Sequence, residues 1–320
     1  MNRRYFVKGS AIIGLSIVAS TNLLGGSGML STKSYRRVYR ILNSDRTKVG
    51  TLPILRAFAG NHTDYVSPYV MLDEFGPVNL NAGDDPLRVD AHPHAGVTPT
   101  TYFINGSGHH KDSLNYDFQI GKGDFMMFQS GKGAIHMEET GQKLYEEGGI
   151  YHGFQIWLNM PSEYKFINPS TSVSDKKSMG LINEKDFTAK IVLGDWGKEK
   201  SDIELLSPAF YYDVEMTSDC RLDIPTEPTH NAFIYVIEGE LEVEGQRTLK
   251  KNQLCLYERG ESLINLYARD KARVLVLGGQ PLNEVVYSYG PFVMNNEEQI
   301  KRVISDYRLG KMGDPEIVNR

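Results

Sequence analysis

Two short stretches carry residue types that could do chemistry together. "DAHPHAG" from Asp90 sets His92 and His94 two residues apart, and "GKGAIHMEET" from Gly131 does the same for His136 and Glu138. In an extended strand, residues two apart project from one face, so each pair aims two donors at one point. Three neutral imidazoles and one carboxylate make a mixed nitrogen and oxygen set suited to a transition-metal ion. Such a set leaves positions open for water, O2 or a substrate. A lone HxH pair is most simply a surface accident; a second pair, HxE, beside another glycine turn makes a shared site the better reading. The other histidines fit it less well. His109 and His110 read as a turn after a strand, where one of them would support a ligand. His152 reads as packing or an orienting hydrogen bond, and His230, with no partner of ligand type nearby, as structural.

These pairs need strands to hold them, and the chain supplies many. "TPTTYFI", "DFMMF", "GFQIWLN", "AFIYVIEGELEVEG", "LCLYE" and "RVLVLG" read as strands bounded by turns, with the 31 glycines falling mostly between such runs. The expected fold class is all-β, a sandwich or barrel with turns at Asn105-Gly106 and Glu238-Gly239. A strand, a tight turn, a second strand and a punctuated hairpin occur once in each half, which predicts two related β-barrels in tandem. The polar stretch "NPSTSVSDKKSMG" between them reads as a linker. The expected division is residues 35–168, a linker over 169–187, and residues 188–320. "NNEEQIKRVISDYRLGKMG" carries Ile300, Val303, Ile304 and Tyr307 at helical spacing, with Asn295 or Asn296 as cap and Gly310 as stop. It predicts a C-terminal helix laid on one barrel.

Composition narrows the function classes. Of 320 residues 40% are hydrophobic and 23% charged, as in a globular protein, and the formal net charge of -5 argues against a nucleic-acid partner. Cys220 and Cys255 show no metal or redox spacing; outside the cytoplasm they could form one disulfide, but both sit in apolar strand-like runs and read better as buried free thiols. At the start, Arg3-Arg4-Tyr5-Phe6-Val7-Lys8 precedes a short apolar run from Ala11 to Ala19. That pattern over residues 1–30 predicts a twin-arginine export signal and a periplasmic protein, anchored in the membrane only if the signal stays uncleaved.

Several segments together resemble the pirin family of bicupins: "LDEFGP" from Leu72, "DAHPHAG", "HHKDSLN", "GKGAIHMEE", "HGFQIWLNMP" and "YGPFVMNNEEQIKRVISDYRLGKMG". The resemblance runs from about Tyr35 to the C-terminus. It implies two cupin barrels, the first holding one Fe2+ ion through His92, His94, His136 and Glu138, the second without a metal. Ni, Mn, Cu and Zn are the alternative ions. It further implies a quercetin 2,3-dioxygenase type of activity on a small flavonol-like aromatic with O2, with Glu138 ligating or taking the hydroxyl proton. The other implied role is a metal-containing sensor or protein-binding module. This chain departs from the family after the HxH pair, where Ala95, Gly96, Val97 and Thr98 stand in place of Arg, Gly, Phe and Glu. Thr98 thus replaces a carboxylate expected close to the site, and Met127 or Phe128 replaces a different aromatic.

Overall fold

Strand alternation separates inside from outside in this chain, and it does so twice. In the computed structural model, which describes residues 33–245 and 247–318, two seven-stranded and two four-stranded antiparallel sheets pair off as two barrels. The export segment expected at the start lies outside the described residues. In the first barrel the larger sheet runs, in spatial order, Ser170–Ser174, Phe125–Gln129, Val97–Asn105, Gly149–Asn159, Tyr69–Leu80, Leu52–Ala59 and Asp45–Val49. Facing it are Arg88–His94, Ala134–Thr140, Ser107–Asp112 and Asp117–Gly121. The second barrel repeats the plan with seven strands centred on Ala272–Gly279 and a four-stranded sheet starting at Cys220–Pro225. The expected all-β, two-barrel fold with a C-terminal helix is what the chain forms.

The two large sheets pack against each other, so each has one face in its own barrel and one in a shared core. Along Gly149–Asn159, Tyr151, Gln155 and Trp157 face the first barrel's cavity, while Phe154, Ile156 and Leu158 join Tyr211, Phe233 and Leu277 between the barrels. Three buried polar links cross the same seam: Tyr69 Oη donates to the Phe210 carbonyl at 2.8 Å, Tyr102 Oη to Asp213 at 2.8 Å, and Tyr235 Oη to Glu74 at 2.5 Å. His152 lies on this face too, its Nε2 2.7 Å from Glu74. The orienting hydrogen bond expected of it is real, but it serves the seam between barrels.

The glycines expected to close hairpins do something else. At Gly106 and Gly239 the chain passes from a large sheet to the facing small one, so each is a barrel corner between strands that do not pair with each other. Both adopt positive φ, +79° and +77°. A Cβ at either would meet a backbone oxygen, of Ile150 at 2.5 Å and of Lys271 at 2.4 Å. Only glycine meets both demands.

The chain ends cross over. Val38–Asn43 pairs with Gln253–Tyr257 in the second barrel, although it precedes the first. The helix Glu297–Arg308 packs on the first barrel, although it follows the second. Ile300 and Val303 cover Ile135 and Met137 on the outer face of the Ala134–Thr140 strand. Asn296 caps that helix by accepting from the Gln299 N–H at 2.9 Å. The buried Lys165 fastens this end, its Nζ donating to the carbonyls of Gly96 and Val293 and to Asn159. The stretch expected as a linker is also structured: Ser170–Ser174 pairs into the first barrel and Gly180–Asn183 into the second. Both cysteines are buried and free. Burial pushes the Cys255 thiol up to about 12.

The corner at Gly106 supplies a direct check. Gly106→Ala forces a side chain into left-handed backbone against the Ile150 carbonyl, and the strain is expected to lower stability by about 1–3 kcal/mol. A thermal unfolding midpoint several degrees below wild type is the expected result; an unchanged midpoint refutes the corner argument.

Candidate metal centre

His92 and His94 lie on an edge strand, Arg88–His94, and the residue between them shows why the edge suits them. Pro93 has no N–H to give a ladder, so a strand containing it is tolerated where one side is unpaired. The paired side meets Ala134–Thr140, with His92 opposite His136 and His94 opposite Ala134; a register slip then brings Glu138 opposite Val89. On its other flank Ala134–Thr140 pairs with Ser107–Asp112, placing His110 opposite Glu138.

The three expected histidines converge. Their ring centroids are 4.5, 4.8 and 4.9 Å apart, and the Nε2 atoms of His92 and His136 are 3.1 Å apart. His92 Nδ1 lies 2.8 Å from the Asp90 carbonyl and His94 Nδ1 lies 3.2 Å from the Pro291 carbonyl. A carbonyl oxygen only accepts, so both Nδ1 atoms carry the proton and both Nε2 atoms present a lone pair. Phe128 stacks on His136 at 4.6 Å, and Trp157 meets His94 edge-on at 4.9 Å. The aromatic against the site is thus Phe128, while Met127 belongs to the core between the barrels.

This arrangement fits a metal ion. His94 Nε2 and His136 Nδ1 are buried and have no hydrogen-bond partner, and an unpaired buried polar atom costs about 1–3 kcal/mol. Burial, reinforced by the neighbouring imidazoles, holds His94 and His136 well below the ordinary histidine value. Burial lowers His92 as well. All three are therefore neutral at pH 7, the form that ligates metals.

Glu138 stands slightly apart. Its Oε1 accepts from the Thr101 hydroxyl at 2.7 Å and its Oε2 from the Gln155 amide at 2.9 Å. Donor atoms of His92, His94 and His136 all lie within 4.8 Å of one another; Glu138 meets that limit with His136 and His110. His109 and His110, expected in a turn, are both in the Ser107–Asp112 strand. His110 is fully buried, with Nε2 3.1 Å from Asp112. His109 sits nearer the surface between Asp117 and Glu139. Thr98 is not at the site: it lines a small cavity with Met127 and Leu158, because alternation along Val97–Asn105 turns Thr101 and Phe103 inward. His230 lies in the second barrel, bordering a different cavity. Residues that single-sequence spacing does not single out include Thr101, Gln155 and Asp112, whose roles depend on partners from other strands.

The centre borders a cavity of about 400 Å³, walled chiefly by Leu52, Ile54, Phe75, Phe103 and Tyr151. Its lining includes Arg56 bound through two nitrogens to Asp73 at 2.9 and 2.6 Å. In the second barrel the interior is apolar and aromatic, with Cys255 and Tyr257 among its residues. Candidate metal clusters among the described residues occur in the first barrel alone.

Two such barrels in one chain, with a histidine cluster in the first, define a bicupin. The comparisons narrow this further: residues 51–158 match the family model described as Pirin, and residues 211–313 the one described as Pirin C-terminal cupin domain. The chain belongs to the pirin family. A pirin-like protein of Solanum lycopersicum is 30% identical over 251 residues, covering 78% of this chain and 82% of its own. A crystal structure of quercetin 2,3-dioxygenase from Acinetobacter baumannii is similar with a TM-score of 0.85 and 26% identity, covering 88% of this chain and 100% of that one. A bacterial pirin from Escherichia coli, solved in complex with nickel(II), shares the fold with a TM-score of 0.59 at 19% identity, over 76% of this chain and 99% of its own.

The buried imidazoles set a pH dependence. Their folded values lie below 6.5 while the unfolded chain's lie near it, so unfolding takes up protons once the pH drops below about 6.5. The metal-free protein is expected to lose stability as pH falls from 6.5 toward 5, with up to about three extra protons bound on unfolding. Thermal melts across pH 5–8 check this; a midpoint insensitive to pH below 6.5 contradicts it.

Proposed function

We propose that this chain is a metal-dependent dioxygenase that opens the ring of a flavonol-type aromatic with O2 and releases carbon monoxide. The observation that carries the reading is the junction of three neutral histidines, His92 and His94 with their tautomers fixed by backbone carbonyls, with an aromatic-walled cavity. The likeness to the Acinetobacter baumannii quercetin 2,3-dioxygenase supports it. His92, His94 and His136 would hold the ion, with Glu138 beside His136. Fe2+ is the ion we propose, and nickel is the first alternative. A bound ion supplies Lewis acidity and a path for electrons between substrate and O2.

The chain's own residues supply the rest. Phe75, Phe103 and Tyr151 form a contiguous ring cluster, with centroids 5.0 to 5.6 Å apart, against which a flat substrate can lie away from water. Glu138 takes the proton of the substrate hydroxyl. Thr101 supports that transfer, because its single hydroxyl proton has two acceptors in reach, Glu138 Oε1 at 2.7 Å and Gln155 Oε1 at 2.9 Å. Once Glu138 carries a proton, it can donate to Thr101, Thr101 to Gln155, and the Gln155 amide back to Glu138. Every donor in that ring then has an acceptor.

Protein loaded with Fe2+ is expected to consume O2 with a flavonol and release carbon monoxide in equal amount. No uptake with any flavonol overturns the substrate assignment. His136→Ala is expected to empty the site by elemental analysis while the fold stands. Glu138→Gln, which removes the base, is expected to slow turnover by at least about 100-fold.

We also infer that residues 1–30 carry the folded chain out of the cytoplasm by the twin-arginine route. Copper and zinc bind nitrogen and oxygen sites more tightly than Fe2+, and export after folding would let iron be loaded first. Deleting residues 1–20 is expected to keep the protein in the cytoplasm. A deleted chain exported like the full one, with the same metal content, refutes this.

A further inference from the structure

We propose that His110 is a metal ligand, so that the centre presents four imidazoles and not three. The inference rests on the metal-centre reading above and extends it to a residue outside the expected set. His110 is fully buried and lines the same cavity as His92 and His94. One of its ring nitrogens lies within 4.8 Å of the donor atoms of His136 and Glu138.

The second observation is how the ring is held. Asp112 is already committed as an acceptor: it takes hydrogen bonds from the Thr171 hydroxyl at 2.6 Å and from the N–H groups of Leu114 and Tyr116 at 2.8 and 3.1 Å. A carboxylate so held is an acceptor toward His110 Nε2 at 3.1 Å, which puts the imidazole proton on Nε2. The Nδ1 lone pair is then left over, and Nδ1 is buried with no partner. A carboxylate that orients a histidine and leaves its other nitrogen bare is the usual support for a metal-bound imidazole. Among the four histidines, His110 has a carboxylate for this purpose, whereas His92 and His94 rely on backbone carbonyls.

The test uses Co2+ as probe with the full chain. In the Co2+-loaded protein each ligating histidine gives one strongly shifted, solvent-exchangeable imidazole N–H resonance by proton NMR. Four such resonances are expected, one of them from the Nε2–H on Asp112. His110→Phe is expected to remove one resonance and weaken Co2+ binding at least tenfold. Asp112→Asn, which loosens the ring without deleting it, is expected to weaken it about 10- to 100-fold. Three resonances in the wild-type protein overturn the proposal while leaving a three-histidine centre intact. Failure to take up Co2+ at all overturns the metal-centre reading together with it. The wild-type count needs no variant to fold.

Discussion

The pairing of one edge strand with one inner strand is the constraint on which the rest depends. Arg88–His94 lies against Ala134–Thr140 so that His92 faces His136. A shift of one residue would turn every side chain on one strand to the opposite face. If that strand were Ala134–Thr140, His136 and Glu138 would meet the outer packing and Ile135 and Met137 would take their places. Register here is therefore a chemical decision as much as a packing one. The alternation that points His136 and Glu138 inward is the same one that gives the C-terminal helix its apolar seat.

Desolvation acts next. Three imidazoles with ring centres less than 5 Å apart could not all be charged, and burial removes the option. The neutral rings are then aimed by fixed acceptors: the Asp90 and Pro291 carbonyls take the Nδ1 protons of His92 and His94. Pro291 comes from the far end of the chain, beyond the second barrel. The second barrel thus has a part in the centre without holding a ligand, because the segment following it returns to close the first. Lys165 strengthens that closure with three buried hydrogen bonds.

The shared core explains why the two barrels act as one body. Each large sheet turns an apolar face to the other, and the seam is crossed by buried tyrosine and carboxylate contacts. Residues such as His152 and Glu74 would look functional by type. Their parity along the strand assigns them to the seam, one residue out of step with the cavity wall.

Much of the fold was legible in the sequence, because strand signals, glycine spacing and the helix cap are local. The HxH and HxE pairs were legible for the same reason: period-two spacing is a property of a strand wherever it lies. That reading named His92, His94, His136 and Glu138 as candidates, and it suggested a supporting histidine at 109 or 110 without choosing between them. Tertiary structure decided what spacing leaves open. It made Gly106 and Gly239 corners, crossed the chain ends, turned Thr98 away from the cavity and set His110 beside Glu138. Each of these depends on which strands become neighbours across the barrel, and that follows from burying two faces of a sheet at once, a requirement no short stretch of residues expresses.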